Sequence, residues 1–346
     1  MADPTRNRAT HSIARRSFVA ALGAMPMTFG VIASAASAAS AAETRHASGR
    51  PVALITGASS GFGRVSATTL ARSGFHVIAT MRNAETSNAD AANSLRTLAR
   101  NEDLPLEIIE IDVDSDASVD AGVAQAMERA GTIDVLFNNA GINIPGPVEL
   151  SMDAARQSFE TNVFGQLRLL RAVAPIMRGN RSGLIIQMSS GLGRIVMPTS
   201  GMYCATKFAQ EAMFESAAYE LHPFGVEVAI IQPSDYATRI KPNSRRYFAD
   251  MMASLSPDDQ ARARDYAEHI AVAEQQMEDT PAPDPQEVAD IVFTLATTPA
   301  GERPLRQVAM PPELAGGLNE LNGTLEEVQS AVLSGSGLGR WLTLAT

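Results

Sequence analysis

The sequence predicts an α/β protein, a single doubly wound domain over residues 50–310 with a mostly parallel seven-stranded sheet. Three observations carry that prediction. Short unbroken apolar runs such as VALI at 52–55 recur, as suits strands buried on both faces. Strand and helix patterns alternate four times through short connections, which is how a parallel sheet with helical crossovers reads. A glycine-rich turn joins the first strand to the first helix, the junction where such sheets meet anions.

Taken in order, Val52 to Ile55 forms the first strand, bounded by Pro51 and the turn of Gly57, Gly61 and Gly63. An amphipathic helix then runs to about Ser73 and is stopped by Gly74. Phe75 to Met81 is the second strand, LEIIEID with Asp112 and Val113 the third, and IDVLFNNAG the fourth. One long helical stretch is expected from about Met152 to Met177, with Asn162 inside it. The fifth strand, GLIIQM, delivers Ser189 and Ser190 at its C-terminal end. Tyr203 opens the next helical stretch, thirteen positions after Ser190, and Lys207 lies one turn further on the same helical face. The sixth strand, VEVAIIQ, leads into Pro233, Ser234 and Thr238. Residues 239–284 show a helical pattern and no strand signal, and end in the stiff TPAPDP. A helix, QEVADIVFTLA, and a final strand near LRQVAM complete the domain. Residues 311–346 form an extension with one helical stretch, TLEEVQSAVL, and a Gly/Ser break.

Composition narrows the partners. A formal net charge of −10 argues against a surface built for nucleic acid or anionic lipid. Cys204 is the sole cysteine, so no intrachain disulfide is possible. The histidines are scattered without the close His/Cys spacings zinc needs, and no metal is expected.

Residues 1–41 read as an export leader. Arg6, Arg8, Arg15 and Arg16 form a basic front, Phe18 to Ile32 a modest apolar middle, and ASAASAASAAE a small-residue exit. Candidate last residues are Ala35, Ala38 and Ala41. Arg15-Arg16-Ser17-Phe18 is similar to the twin-arginine motif, whose pathway exports folded proteins, so a periplasmic location is expected. The run is too short and too broken by Pro and Gly to anchor in a membrane. A leader that does not function, leaving the protein cytoplasmic, is the alternative.

The T-G-x-x-x-G-x-G spacing from Thr56 to Gly63, the NNAG at 138–141, Asn162, Ser190 and Tyr203-x-x-x-Lys207 together resemble the short-chain dehydrogenase/reductase family. Locally, IATMRN and YCATKFAQEAMFES are more similar to its hydroxysteroid and retinol dehydrogenases than to its sugar or fatty-acyl reductases. The resemblance spans about residues 51–310 and implies a Rossmann-like domain with the 239–284 helices as a substrate lid. Met251, Met252 and Tyr247 are candidates to line the pocket under that lid.

The resemblance implies an oxidoreductase moving hydride between a nicotinamide and a secondary alcohol or ketone, here an apolar one. Tyr203 would be the acid/base. A free tyrosine titrates near 10, and a nearby ammonium and the charged nicotinamide ring would pull it down. Ser190 would orient the substrate oxygen. Lys207 would lower the phenol and hold the ribose, and Asn162 would position a water in a proton relay. Cofactor contacts would come from Gly57, Ser59, Ser60, Gly61, Phe62 and Gly63, from Asp112 and Val113, from Asn139, Ala140 and Gly141, and from Tyr203, Lys207, Pro233 and Thr238. Relatives usually have Pro-Gly where this chain has Pro233-Ser234, a departure near the nicotinamide.

The second strand ends in Arg82, where an acid would hold the ribose 2′-hydroxyl of NAD. A guanidinium suits a 2′-phosphate instead, so NADP(H) is expected over NAD(H). A dinucleotide-binding redox sensor without turnover is the alternative from another class. A homo-oligomer is expected, since relatives are usually dimers or tetramers.

Overall fold

The computed structural model describes residues 49–341, and the leader expected at 1–41 lies outside them. The chain divides into two compact units, and everything bearing on the site belongs to the one that holds residues 44–319.

Its strands are β1 (Val52–Ile55), β2 (His76–Met81), β3 (Leu106–Glu110), β4 (Val135–Asn138), β5 (Gly183–Met188), β6 (Val226–Pro233) and β7 (Arg306–Ala309). They form one sheet in the order β3-β2-β1-β4-β5-β6-β7, with every neighbouring pair parallel. The expected seven strands are therefore present, and among the described residues no antiparallel pair joins them. Alternate residues serve opposite faces, as the two-residue period of a strand requires. Ala53, Ile55, Val77 and Ala79 face one core layer, against helices α1 (Gly61–Arg72) and α2 (Ala89–Asn101). Val52, Leu54, Ile78 and Leu136 face the other, against α3 (Asp116–Ala130). Strand order reverses between β1 and β4, so the chain leaves their carboxyl ends in opposite directions and opens a crevice there.

The helical stretch predicted for 152–177 is interrupted. Helix α4 (Met152–Phe159) passes into a π turn at Glu160–Phe164 before α5 (Gly165–Asn180). Gly165 fits the bend because a Cβ there would sit 2.9 Å from Val113 Cγ2. Period alone does not report a one-residue widening, and such turns collect at functional sites.

Helix α6 (Gly201–Leu221) packs against β6. Residues 239–284 form α7 (Ile240–Ser254), α8 (Pro257–Asp265) and α9 (Ala267–Gln276). Tyr247, Phe248, Met251, Leu255 and Met277 of this region form a third apolar cluster with Ile142, Ile144 and Leu150 from the loop after β4. Helix α10 (Gln286–Thr297) returns to pack on α1. In the extension, α11 (Pro312–Gly335) is far longer than the predicted stretch and runs through Gly316, Gly317 and Gly323. Each helical glycine costs about 1 kcal/mol relative to alanine, a penalty that the length of a regular helix can absorb.

Candidate active site

The glycine turn is fixed from below. Gly57 (φ +68°) and Gly61 (φ +53°) adopt conformations that a side chain would strain. At Gly63 a Cβ would fall 2.6 Å from the Gly57 carbonyl oxygen and 2.7 Å from Asn139 Nδ2, so α1 reaches the turn only because this position has no side chain. Thr56 Oγ1 accepts the backbone N–H groups of Asn139 and Ala140, both at 2.9 Å, and Asn139 Nδ2 donates to the Thr56 carbonyl at 2.8 Å. The NNAG segment is thus the buttress of the turn. Thr56 opens the glycine motif in the sequence, but its clamp role depends on β1 and β4 being neighbours.

Ser59 and Ser60 stay partly exposed at the turn, and Ser60 caps α1 without using its hydroxyl on the helix. The first-turn N–H groups of α1, with no acid among them, could hold a phosphate group. Phe62 packs edge-on against Tyr236 with ring centroids 5.4 Å apart. Thr238 lies over Gly61, where a Cβ would meet its own Cβ at 3.2 Å, so the segment after Pro233 reaches the glycine turn. Ser234 N–H donates to the Ala309 carbonyl at 2.9 Å, which ties that segment to β7.

Arg82 stands at the end of β2 as expected, but its environment is new. One Nη donates to the hydroxyl of Tyr247 on helix α7, and the other lies 4.0 Å from Asp114. Tyr247 and Met251, candidates to line a pocket, are buried in the third apolar cluster at 7% exposure each, and Met252 packs at its edge. The apolar run of α7 is consumed by the loop after β4. Asp112 N–H bonds to Ser118 Oγ at 2.9 Å, and its carboxylate accepts the Asp114 N–H at 3.2 Å. Val113 is buried against Gly165, and its carbonyl accepts from Arg168 at 3.1 Å. Its side chain therefore belongs to the core.

Ser190, Tyr203 and Lys207 do come together. Ser190 leaves the end of β5 and caps a short 3₁₀ turn, Gly191–Gly193, accepting the Leu192 N–H at 3.1 Å. It is also the neighbour that favours the anion of half-buried Tyr203. Lys207 is 4% exposed, and its Nζ lies 5.5 Å from the Tyr203 ring centre. Nζ donates to the Met188 carbonyl and to Gln210 Oε1, both at 3.0 Å.

Burial sets the electrostatics of both groups in the protein alone. Burial pushes the Tyr203 phenol up to about 12, outweighing the Ser190 hydrogen bond that favours its anion; Cys204 adds a smaller upward push. Burial likewise brings the Lys207 ammonium down to about 7, against the pull of Glu211. The lysine and the charged nicotinamide ring are together expected to bring the tyrosine down. In the protein's own field desolvation wins for both, because each charge would have to leave water.

Asn162 sits in the π turn, fully buried. Its Oδ1 accepts the Ile142 N–H at 2.8 Å, and its Nδ2 donates to the Ile142 carbonyl at 2.8 Å and to Thr206 Oγ1 at 3.1 Å. The side chain is thus a clamp on the loop that follows Gly141. Its backbone carbonyl also faces α6, where Gln210 Nε2 donates to it. Gln210 and Thr206 were not singled out in the sequence, although both sit on α6 within a turn of Lys207.

Beneath the lysine lies a buried charge cluster. Glu211, 1% exposed, accepts from Gln232 at 2.9 Å and from Arg306 at 3.0 Å, with Arg194 at 3.3 Å. Glu215 is paired with Arg306 as well. The cluster joins the 3₁₀ turn that follows Ser190 to α6 and β7.

The short chain dehydrogenase profile matches residues 51–247. This chain is a short-chain dehydrogenase. The uncharacterised oxidoreductase YusZ of Bacillus subtilis is 38% identical over 251 residues, covering 72% of this chain and 85% of its own. Human 17-beta-hydroxysteroid dehydrogenase type 1 is 33% identical, over 72% of this chain and 75% of its own. Among solved structures, a short-chain dehydrogenase/reductase from Burkholderia phymatum in complex with NAD is 25% identical, with a TM-score of 0.64 over 81% of this chain and 95% of its own. The closed form of serine dehydrogenase with NADP+ is 27% identical, with a TM-score of 0.61 over 75% and 94%. The chain is accordingly an oxidoreductase of the short-chain type, in a family that acts on small molecules, uses a nicotinamide dinucleotide and commonly oligomerises.

Proposed function

We propose that this short-chain dehydrogenase interconverts an apolar secondary alcohol and its ketone with NADP(H). The observation that carries the reading is the juxtaposition of Ser190 and Tyr203, with Lys207 alongside, at the carboxyl edge of β5. The glycine cradle, which a Cβ at Gly63 would fill, fits a dinucleotide pyrophosphate.

In the alcohol-to-ketone direction Tyr203 takes the hydroxyl proton of the substrate as the carbinol carbon gives up hydride. In reverse it returns that proton to the carbonyl oxygen. Ser190 holds the same oxygen and orients it. Lys207, one of its three ammonium protons still available, holds the ribose and favours the phenolate. The dinucleotide, when bound, accepts or supplies the hydride and brings a positive ring charge that opposes the desolvation of Tyr203. Asn162 fixes the loop beside the nicotinamide end through Ile142.

Arg82 supports NADP(H) over NAD(H), because its side chain keeps 36% exposure and no acid occupies the end of β2. An apolar substrate is supported by exposed Val148, Ile195 and Val196 in the loops after β4 and β5. A Cβ on Gly201 would meet Val148 at 2.5 Å, which puts that side chain two residues from Tyr203. The 33% identity to a hydroxysteroid dehydrogenase points the same way. The protein is further read as a homo-oligomer exported to the periplasm, carrying its cofactor, by the leader at 1–41.

Spectrophotometric assay of NADPH against NADH on a panel of steroid, retinoid and aliphatic ketones tests the reaction. Turnover with NADPH that Tyr203→Phe lowers at least ~10³-fold is expected. Dinucleotide binding without turnover across the panel would favour the sensor instead. Fractionation of full-length protein beside an Arg15→Lys, Arg16→Lys double variant tests export, and equal periplasmic yields would refute it.

A further inference from the structure

Lys207 is buried, and two of its three donors are already committed, to the Met188 carbonyl and to Gln210 Oε1. Gln210 is itself fully buried and follows Tyr203 and Lys207 at the seven-residue spacing that keeps all three on one face of α6. Its other amide end, Nε2, donates to the Asn162 carbonyl in the π turn. The orientation of the amide is forced. An ammonium can only donate and a carbonyl can only accept, so Oε1 must face Lys207 and Nε2 must face Asn162. Among uncharged side chains of this length only glutamine offers an acceptor and a donor in that arrangement.

We propose that Gln210 is a positioning residue for the Tyr203–Lys207 pair, whose amide bridges the Lys207 ammonium to the Asn162 carbonyl and so sets the lysine's direction and charge. The inference rests on the reading of Tyr203 and Lys207 given above. With Met188 and Gln210 taking two protons, the third is left for the side of the tyrosine ring, 5.5 Å away. The bridge also occupies the polar gap between Lys207 and the π turn with a side chain, and Asn162 has no side-chain atom left over for it.

The charges around the lysine make the amide matter. On its own helix stand Tyr203 and Glu211. From β5 comes only the Met188 carbonyl, and from the π turn only the Asn162 carbonyl. Glu211 is held by Arg306 of β7, by Arg194 of the 3₁₀ turn and by Gln232 of β6, so its charge is largely spent on them. The neutral Gln210 oxygen is therefore, with the Met188 carbonyl, what directly solvates a buried ammonium.

The sequence makes the test clean, since Lys207 and Lys241 are its only lysines. In a Lys241→Arg background, 13C-labelled lysine gives a single side-chain resonance whose titration reports Lys207 alone. Gln210→Met keeps length and removes both hydrogen bonds, and its Lys207 midpoint is expected to fall by about one unit. Gln210→Glu keeps an acceptor and adds a charge, and its midpoint is expected to rise. The acid limb of kcat/KM for alcohol oxidation should move in the same direction in each variant, a change that a merely structural residue would not produce. A midpoint within about 0.3 unit of the parent in both variants would overturn the proposal. Should Gln210→Met not fold, an unmoved midpoint in Gln210→Glu does so alone. Turnover retained in Tyr203→Phe would sink the underlying catalytic reading separately, and the Lys207 midpoint would still report on Gln210.

Discussion

Replacing Lys207 with Met should remove a specific pH dependence of folding stability. The ammonium falls from an ordinary 10.5 to about 7 on burial. That difference corresponds to about 5 kcal/mol of preference for the neutral form, at 1.36 kcal/mol per unit. Because the folded state releases the proton first, the unfolded chain binds more protons between about 7 and 10.5, and stability rises with pH across that window. Below about 7 the full cost of the buried charge is present. Between pH 6 and pH 9 one such group contributes a rise of about 2–3 kcal/mol. Tyr203, pushed up to about 12, acts in the opposite sense, but only above its ordinary value of 10 and so outside the range measured. Urea unfolding of parent and Lys207→Met at pH 6 and pH 9 isolates the term as the difference between two differences. The parent should gain about 2–3 kcal/mol more than the variant on going to pH 9. Parallel behaviour, with the two gains agreeing within about 0.5 kcal/mol, would refute the reasoning, since it would mean that the lysine keeps its proton in the fold.

Two further outcomes follow from the cradle and the lid. Gly63→Ala should lower stability by about 1–3 kcal/mol and weaken dinucleotide binding, because its Cβ meets the Gly57 backbone at 2.6 Å rather than a yielding side chain; fluorescence titration with NADPH and thermal melting read both. Arg82→Ser should lower kcat/KM for NADPH by about 10–100-fold and leave NADH nearly unchanged, and equal losses with both cofactors would show that the guanidinium serves mainly to hold Tyr247.

The α/β class, the parallel sheet and the residues gathered at its carboxyl edge were legible in the sequence because each rests on a local rule. Buried parallel strands read as continuous apolar runs, Gly57 and Gly61 mark backbone conformations that only glycine accepts cheaply, and a four-residue spacing puts Tyr203 and Lys207 on one helical face. What each group's surroundings make of it was not local. Arg82 meets Tyr247 across 165 positions of sequence, Thr56 is claimed by Asn139 and Ala140 from a neighbouring strand, and Asn162 is spent on Ile142 and Thr206. The π turn left no trace in the apolar period, so the pairing of its carbonyl with Gln210 could not be read from it. The sequence by itself therefore determined which chemical groups this protein owns and the frame that carries them. Only the tertiary structure decided which of them are desolvated and which partners they hold, because burial and hydrogen bonding are set by residues far apart in the chain.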